Sequence, residues 1–370
     1  MHEPKECSCF LASTKNGQRV TLKRFQVNLW ALTDKQSFAD IGLLIELDPS
    51  QAFEGDTVDL FLKTPFCPKK GSLQDLFGVL NSDHLLQLVF NDRLVSREQI
   101  SLIADSATRI TFQGGLSFSF FRVNLDQDKE DTLHVQIPLA AARLTMPEPT
   151  AALGAHWIYT RFRFEIDLQR SANIYTETGT SRTRLLYDFR FNEARLFSVQ
   201  QQQEFRRIIR IEAIQVFLIQ STQYRLARET IAPAKYVRLL ERGKDRWDAY
   251  LPELTRHSKT FLVYYWKPDL DKSQIGTSSA LLVCFDADRV DIVQRLIIAF
   301  LLASISGLSL ILFQDAGVAR LYGHYAGIIK GATCIFASIL GTVCLGVVAN
   351  AIWELLKPLL RKRQRNELTG

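Results

Sequence analysis

The 370 residues contain no G-x-G-x-x-G, no Walker A loop, no G-x-S-x-G and no H-E-x-x-H. These absences exclude the motif-defined nucleotide-binding, esterase and metalloprotease classes. Histidine is scarce, and the six present (His2, His84, His134, His156, His257 and His324) are scattered, with none at a recognised spacing from a cysteine or aspartate. Six cysteines fit neither a zinc knuckle nor a disulfide framework, so reduced thiols are expected. Met1 to Trp30 lacks the apolar core of a secretory signal. The sequence therefore reads as a non-enzymatic chain with no cofactor and no metal site.

Two long uncharged apolar stretches close the chain, Leu296 to Phe313 and Gly331 to Trp353. Eighteen residues of helix rise about 27 Å, close to the hydrocarbon thickness of a bilayer. The pattern predicts a two-helix transmembrane hairpin over 292–353, with helices at 296–313 and 331–353 and a basic tail at 354–370. Lys357, Arg361, Lys362, Arg363 and Arg365 in that tail, with Arg289 and Arg295 at the entry, predict an integral inner-membrane protein. Both termini and the large N-terminal region are then expected in the cytoplasm. Ala299, Ala303 and Gly307 repeat every four residues, as do Ser338, Thr342 and Gly346, and these stripes are candidate helix-packing faces. A homo-oligomer and the lipid bilayer are the partners they imply.

Ahead of that region, short alternating runs predict a mainly β (α+β) fold of sandwich or barrel type. A β-rich domain is expected over 10–145, a linker over 146–155 around Met146-Pro147-Glu148-Pro149, and an arginine-rich β/α domain over 156–288. Gly114-Gly115 reads as a two-residue hairpin turn. Ser72 reads as the cap of a helix over Leu73 to Leu80, Leu85 to Phe90 as a strand, and Ala234 to Arg242 as a helix opened by Pro233 and stopped by Gly243. Ile158, Thr160, Phe162 and Phe164 alternate with Tyr159, Arg161, Arg163 and Glu165. Pairing of this run with Leu185 to Phe191 would give one aromatic face and one ladder of arginines and carboxylates. Asp286 and Asp288 are expected at the start of the first membrane helix.

The net charge of +6 is uneven: residues 1–150 hold 15 basic and 19 acidic side chains, residues 151–256 hold 18 and 12. Sixteen of those 18 basic residues are arginine, whose planar fork suits phosphate or carboxylate. Arg182, Arg184, Arg206, Arg207 and Arg210 are the densest group and the candidate binding residues for an anionic small molecule or partner protein. No specific nucleic-acid binding is expected. The leading reading is a membrane-anchored sensor or effector, in which an anionic ligand bound by the arginine-rich domain signals to the hairpin. A membrane scaffold or protein-interaction adaptor is the alternative.

Arg206-Arg207-Ile208-Ile209-Arg210 contains R-x-x-x-R, and Asp271 to Gly276 contains D-x-S-x-x-G. In that order the two fragments resemble the signature of PilZ domains. That resemblance implies a β-barrel receptor for cyclic di-GMP, with the arginines gripping phosphate and guanine. The gap between the fragments is longer than the family pattern, and few strands follow Gly276.

Overall fold

The computed structural model describes residues 9–288 except 15–19, 34–35, 48–56, 102–105, 130, 139–156, 169, 172, 179–181, 194–208, 230–232, 244–245 and 269–278. Strands dominate. In chain order they begin with β1 (Leu11–Thr14), β2 (Val20–Ala31), β3 (Ser37–Leu47), β4 (Thr57–Lys63) and β5 (Gln74–Asp75). After helix α1 (Asp83–Phe90) come β6 (Leu94–Ser101), β7 (Ser106–Phe112), β8 (Ser117–Phe121), β9 (Asn124–Lys129), β10 (Thr132–Pro138) and β11 (Trp157–Glu165). Then follow β12 (Ile174–Thr178), β13 (Arg182–Phe191), β14 (Arg210–Ile211), β15 (Ile214–Ser221), β16 (Arg225–Glu229) and β17 (Tyr236–Leu239). The short helix α2 (Trp247–Tyr250), β18 (Phe261–Trp266) and β19 (Ser279–Asp288) complete the described part.

An 11-stranded sheet is the frame, with the order β17-β18-β15-β2-β3-β11-β8-β7-β6, β14 attached to β2 and β5 to β11. Two four-stranded sheets accompany it, β1-β4-β10-β9 and β12-β13-β19-β16. The large sheet draws strands from both the 10–145 and the 156–288 stretches. β2 pairs antiparallel with β3, Val27 opposite Ile41, and parallel with β15, Val27 opposite Val216. By contact clustering the chain divides into two units. Residues 2–176 and 185–285 form the larger one, and residues 177–184 and the chain from Asp286 belong to the other.

Period-two alternation explains the packing of the large sheet. Val27, Leu29, Ile41, Leu43, Phe162 and Val216 share one apolar cluster with Leu60 and Val135 of a small sheet and with Phe189 of β13. The other face is covered by Leu85 and Leu86 of α1, by Trp247 and Tyr250 of α2, and by Leu251 and Leu254 of the turn that follows. A β-bulge interrupts the β2–β3 register between Leu22 and Arg24. That extra residue changes the parity, so Leu22 and Phe25 both join the apolar cluster while Arg24 turns to the opposite face.

Several expectations change. The expected C-terminal two-helix transmembrane hairpin is not supported. Among the described residues no helix is long and apolar enough to cross a membrane, and the longest, α1, has eight residues, about 12 Å of rise against a ~30 Å hydrocarbon core. No described helix supports the integral inner-membrane assignment either, nor the placement of both termini in the cytoplasm that followed from it. Residues 292–353, including Ala299, Ala303, Gly307, Ser338, Thr342 and Gly346, and the tail 354–370 lie outside the described residues. Asp286 and Asp288 end a strand, β19, and do not begin a helix.

The helix falls on Asp83–Phe90, where a strand was expected, and not on Leu73 to Leu80. Asp83 sits in its first turn and Asn91 ends it in the left-handed conformation at φ 51°, its backbone N–H bonded to the Gln87 carbonyl. Ser72 caps nothing, and its hydroxyl donates to the Lys69 carbonyl at 2.6 Å. The stretch after Pro233 is the strand β17, because Tyr236, Arg238 and Leu240 face the sheet's cavity side while Val237 and Leu239 face solvent. The glycine hairpin is present with a three-residue loop, Phe112 N–H bonding the Leu116 carbonyl and Gly115 at φ +83°. Finally, β11 pairs with β3, β5 and β8, whereas β13 lies between β12 and β19. The arginine run on β11 is consequently internal.

Candidate functional site

The helix-covered face of the large sheet carries polar residues at alternate positions of its central strands: Gln26 and Asn28 on β2, Asp40 on β3, Arg161 and Arg163 on β11, Gln215 on β15. Register sets them side by side. Asn28 is opposite Asp40 and Gln26 opposite Gly42, while Arg163 faces Asp40 and Arg161 faces Gly42. Gly42 is required by crowding, because a Cβ there would lie 2.5 Å from the Tyr159 hydroxyl and 2.8 Å from Gln26 Oε1. Its missing side chain lets Arg161 and Tyr159 lie flat across the strand.

Asp40 is wholly buried and is the acceptor at the centre. Arg163 donates to it through Nε at 2.6 Å and Nη2 at 3.0 Å, the bidentate geometry that guanidinium offers a carboxylate. Tyr250 Oη donates at 2.7 Å and Trp30 Nε1 at 2.9 Å, both to Oδ2. Arg161 reaches the same oxygen only at 3.6 Å. It gives Nε to Tyr250 Oη at 2.6 Å and Nη1 to Tyr159 Oη at 3.0 Å. Tyr159 donates to Gln26 Oε1 at 2.9 Å, Gln26 to Gln215 Oε1 at 2.7 Å, and Gln215 to Tyr265 Oη at 3.1 Å. One continuous hydrogen-bonded chain thus runs from Asp40 to Tyr265.

The charges in this chain do not cancel. Two buried arginines, Arg161 at 1% and Arg163 at 5% exposure, face a single carboxylate. Burial would raise the Asp40 carboxyl, but the charges of Arg163 and Arg161 and the hydrogen bonds from Arg163 and Tyr250 outweigh it and hold the group below the usual carboxylate range. Burial pushes the Tyr250 phenol well above its ordinary value, so it stays a neutral donor. The arginines remain charged, and since both share Asp40 as counter-charge the described network carries a net positive charge. Such a charge is costly unless an anion meets it.

Beside this surplus charge lies a cavity of about 240 Å³. Arg24, Arg161 and Arg238 line it, and among the described residues no aspartate or glutamate does. Its walls include Trp30, Phe90, Phe217, Tyr265 and Trp247. The rings of Phe217, Tyr265 and Tyr236 form a stacked row across three strands, with successive centroids 4.7 Å apart. Arg238 sits over the Tyr236 ring at 5.6 Å and donates to Asn91 Oδ1 at 3.4 Å. Of two lining residues, Asn28 has its Oδ1 buried without a hydrogen-bond partner, and Arg161 Nη2 has only the 3.6 Å ion pair to Asp40. Among the described residues no group of histidine, cysteine, aspartate and glutamate is arranged to hold a metal ion.

Of the arginines singled out from sequence density, Arg182, Arg184 and Arg210 are not among the residues lining this cavity. Arg184 donates to Asp286 Oδ1 at 2.9 Å and approaches Glu177 at 3.8 Å. Arg210 is exposed on the two-residue strand β14. Arg182 begins β13, and Arg206 and Arg207 lie outside the described residues. Asp271 to Gly276, the second fragment of the PilZ resemblance, lies outside them too. The cavity residues were visible as alternation, Gln26 and Asn28 between Phe25, Val27 and Leu29, and Arg161 between Thr160 and Phe162. Density of arginine was the wrong guide to this cavity, since it selects surface as readily as interior.

No known protein family matches this chain, and no curated protein is similar to it. Among solved structures, Legionella pneumophila aminopeptidase A in complex with aspartic acid is similar at 10% identity and a TM-score of 0.29. That likeness covers 74% of this chain and 22% of the aminopeptidase chain. At this level it carries no argument about fold or activity.

Proposed function

We propose that the chain is a binding protein for a small anionic molecule, held in the cavity between the large sheet and its covering helices. The supporting observation is the net positive charge of the Arg161–Arg163–Asp40 network beside a cavity lined, among the described residues, by three arginines and no carboxylate. An anion entering there meets a pre-positioned guanidinium whose position is already fixed by Tyr250, Tyr159 and Asp40. It therefore gains a charge-assisted contact without ordering a loose side chain. The aromatic walls supply apolar area for the remainder of the molecule.

A thermal-shift screen of the full chain tests this against nucleotides, cyclic dinucleotides, aromatic carboxylates and inorganic phosphate. A true ligand at about a hundredfold its Kd adds about 2.7 kcal/mol, a rise of roughly 3–5 °C for a chain of this length. Arg24→Ala with Arg238→Ala, both away from the buried network, should weaken that response. The reading fails if no anion raises the melting temperature, or if the double variant responds as the parent does.

A further inference from the structure

Among the described residues the large sheet ends in β17 on one side and β6 on the other. The β6 edge is guarded against pairing, since it carries Arg97 and Glu98 and is broken by a bulge between Leu94 and Ser96. Over Tyr236–Leu239 the β17 register is unbroken, and exposure alternates along this strand. Lys235, Val237, Leu239 and Glu241 are exposed, while Tyr236, Arg238 and Leu240 turn to the cavity side. Val237 is 47% exposed and Leu239 60%, which is a high cost for apolar side chains on a free strand. Leu240 N–H donates to the Phe261 carbonyl of β18. In antiparallel pairing, alternate residues turn their backbone groups to the same neighbour. Arg238 therefore bonds toward β18, and Val237 and Leu239 present their N–H and C=O groups on the open side. Such an edge is a template for another strand.

The order of the exposed residues states which strand fits. Basic, apolar, apolar, acidic is self-complementary when read in reverse. We infer that two copies of the chain associate by antiparallel pairing of β17 with β17, about a two-fold axis at Arg238. In that register Val237 lies opposite Leu239 of the second copy, and Leu239 opposite its Val237. Each couple exchanges both backbone hydrogen bonds. At the two ends, Lys235 of one copy comes within side-chain reach of Glu241 of the other. Glu241 already meets Arg246 of its own chain at the surface, and a carboxylate has acceptor sites for both. The unfavourable pair is Arg238 opposite itself. Its guanidinium is held by its own chain, over the Tyr236 ring at 5.6 Å and in a hydrogen bond to Asn91. So short an edge gives a small interface, and the association is an equilibrium between monomer and dimer.

Sedimentation velocity of the full chain, over about a hundredfold range of concentration, reads this association. The parent should pass from monomer to dimer. Lys235→Glu alone, or Glu241→Lys alone, sets like charges at both ends and should weaken association about ten-fold or more. Both side chains are exposed, so these swaps leave the core untouched. Mixing the two single variants restores opposite charges at both ends of a mixed pair, as does combining the two swaps in one chain. Each should return association to the parent's level. A parent that stays monomeric at every concentration overturns the proposal. So does association that both single variants keep in full, because the contact then lies elsewhere. A mixture that does not recover what its components lost overturns the register and the proposal with it.

Discussion

The central strands of the large sheet are buried on both faces, and in different ways. On one, Val27, Leu29, Ile41, Leu43, Phe162 and Val216 pack side chain against side chain with nothing to hydrogen-bond. On the other, the alternate positions hold Asn28, Asp40, Arg161 and Arg163, none more than 5% exposed. Apolar packing tolerates substitution of similar volume, because dispersion and burial have no direction. A buried polar chain does not, since each group depends on its neighbour's position and every unpaired member is penalised at low dielectric. The apolar face therefore supplies stability that is spread over many contacts. The polar face concentrates its contribution in a few atoms around Asp40 and holds a charge in readiness.

The largest way to break this contrast is Asp40→Ala. It leaves Arg161 and Arg163 buried together without a counter-charge and removes the acceptor of Trp30 and Tyr250. A loss of about 3–5 kcal/mol is expected in urea denaturation. A loss below about 1 kcal/mol would mean that water reaches the arginines and that the face is not dry. Gly42→Ala should cost less, about 1–2 kcal/mol net of the entropy that glycine wastes in a strand. The atoms it would strike are side-chain tips, but Tyr159 Oη, Gln26 Oε1 and Arg161 Nη1 are all held in the hydrogen-bonded chain. A neutral result would show that this chain has slack.

The smallest effect comes from a carboxylate on the same sheet, Asp75, at which burial outweighs the nearby charge. Burial pushes the Asp75 carboxyl up to about 6 from 3.8, despite a backbone hydrogen bond from Phe77 and the charge of Arg122. Its folded pKa is raised, so the stability tied to its proton is complete below 3.8 and lost as pH rises through about 6. Asp40 has the opposite sign: its contribution is present above the ordinary carboxylate range and is lost as pH falls through its depressed folded value. Asp75→Asn should therefore stabilise the protein at pH 7 by about 1 kcal/mol, most of the penalty being screened by its solvent access. It should also flatten the stability profile between pH 4 and 6 in denaturation at several pH values. An unchanged profile would place its pKa near the unfolded value.

Much of the β structure was legible as alternation, including Trp157–Glu165, Phe261–Trp266 and the glycine hairpin after Phe112. Alternation states that two sets of side chains point opposite ways. It does not state that the second set meets water, and Arg161 and Arg163 show the difference. Nor could spacing reveal the partners of a strand, since Gln26 meets Gln215, 189 residues away. The segment Asp83–Phe90 misled because a short apolar run suits a strand and a helix equally, and the deciding residue, Asn91, lies just beyond it. The cavity was legible only in parts. Its arginines come from three distant strands, and Arg24 reaches it through a bulge that no periodicity anticipates.

The parallel pairing of β2 with β15 also sets a timetable. β3 is available to β2 almost at once, but Ile214 to Ser221 emerges only after 189 further residues separate Gln26 from Gln215. At about 5–20 residues per second on the ribosome, the other edge of β2 stays open for about 10–40 s. A strand edge left bare for so long is a site for wrong pairing. The bond between the two glutamines then forms late, and the cavity is completed later still, once Tyr236, Arg238, Trp247 and Tyr265 have followed.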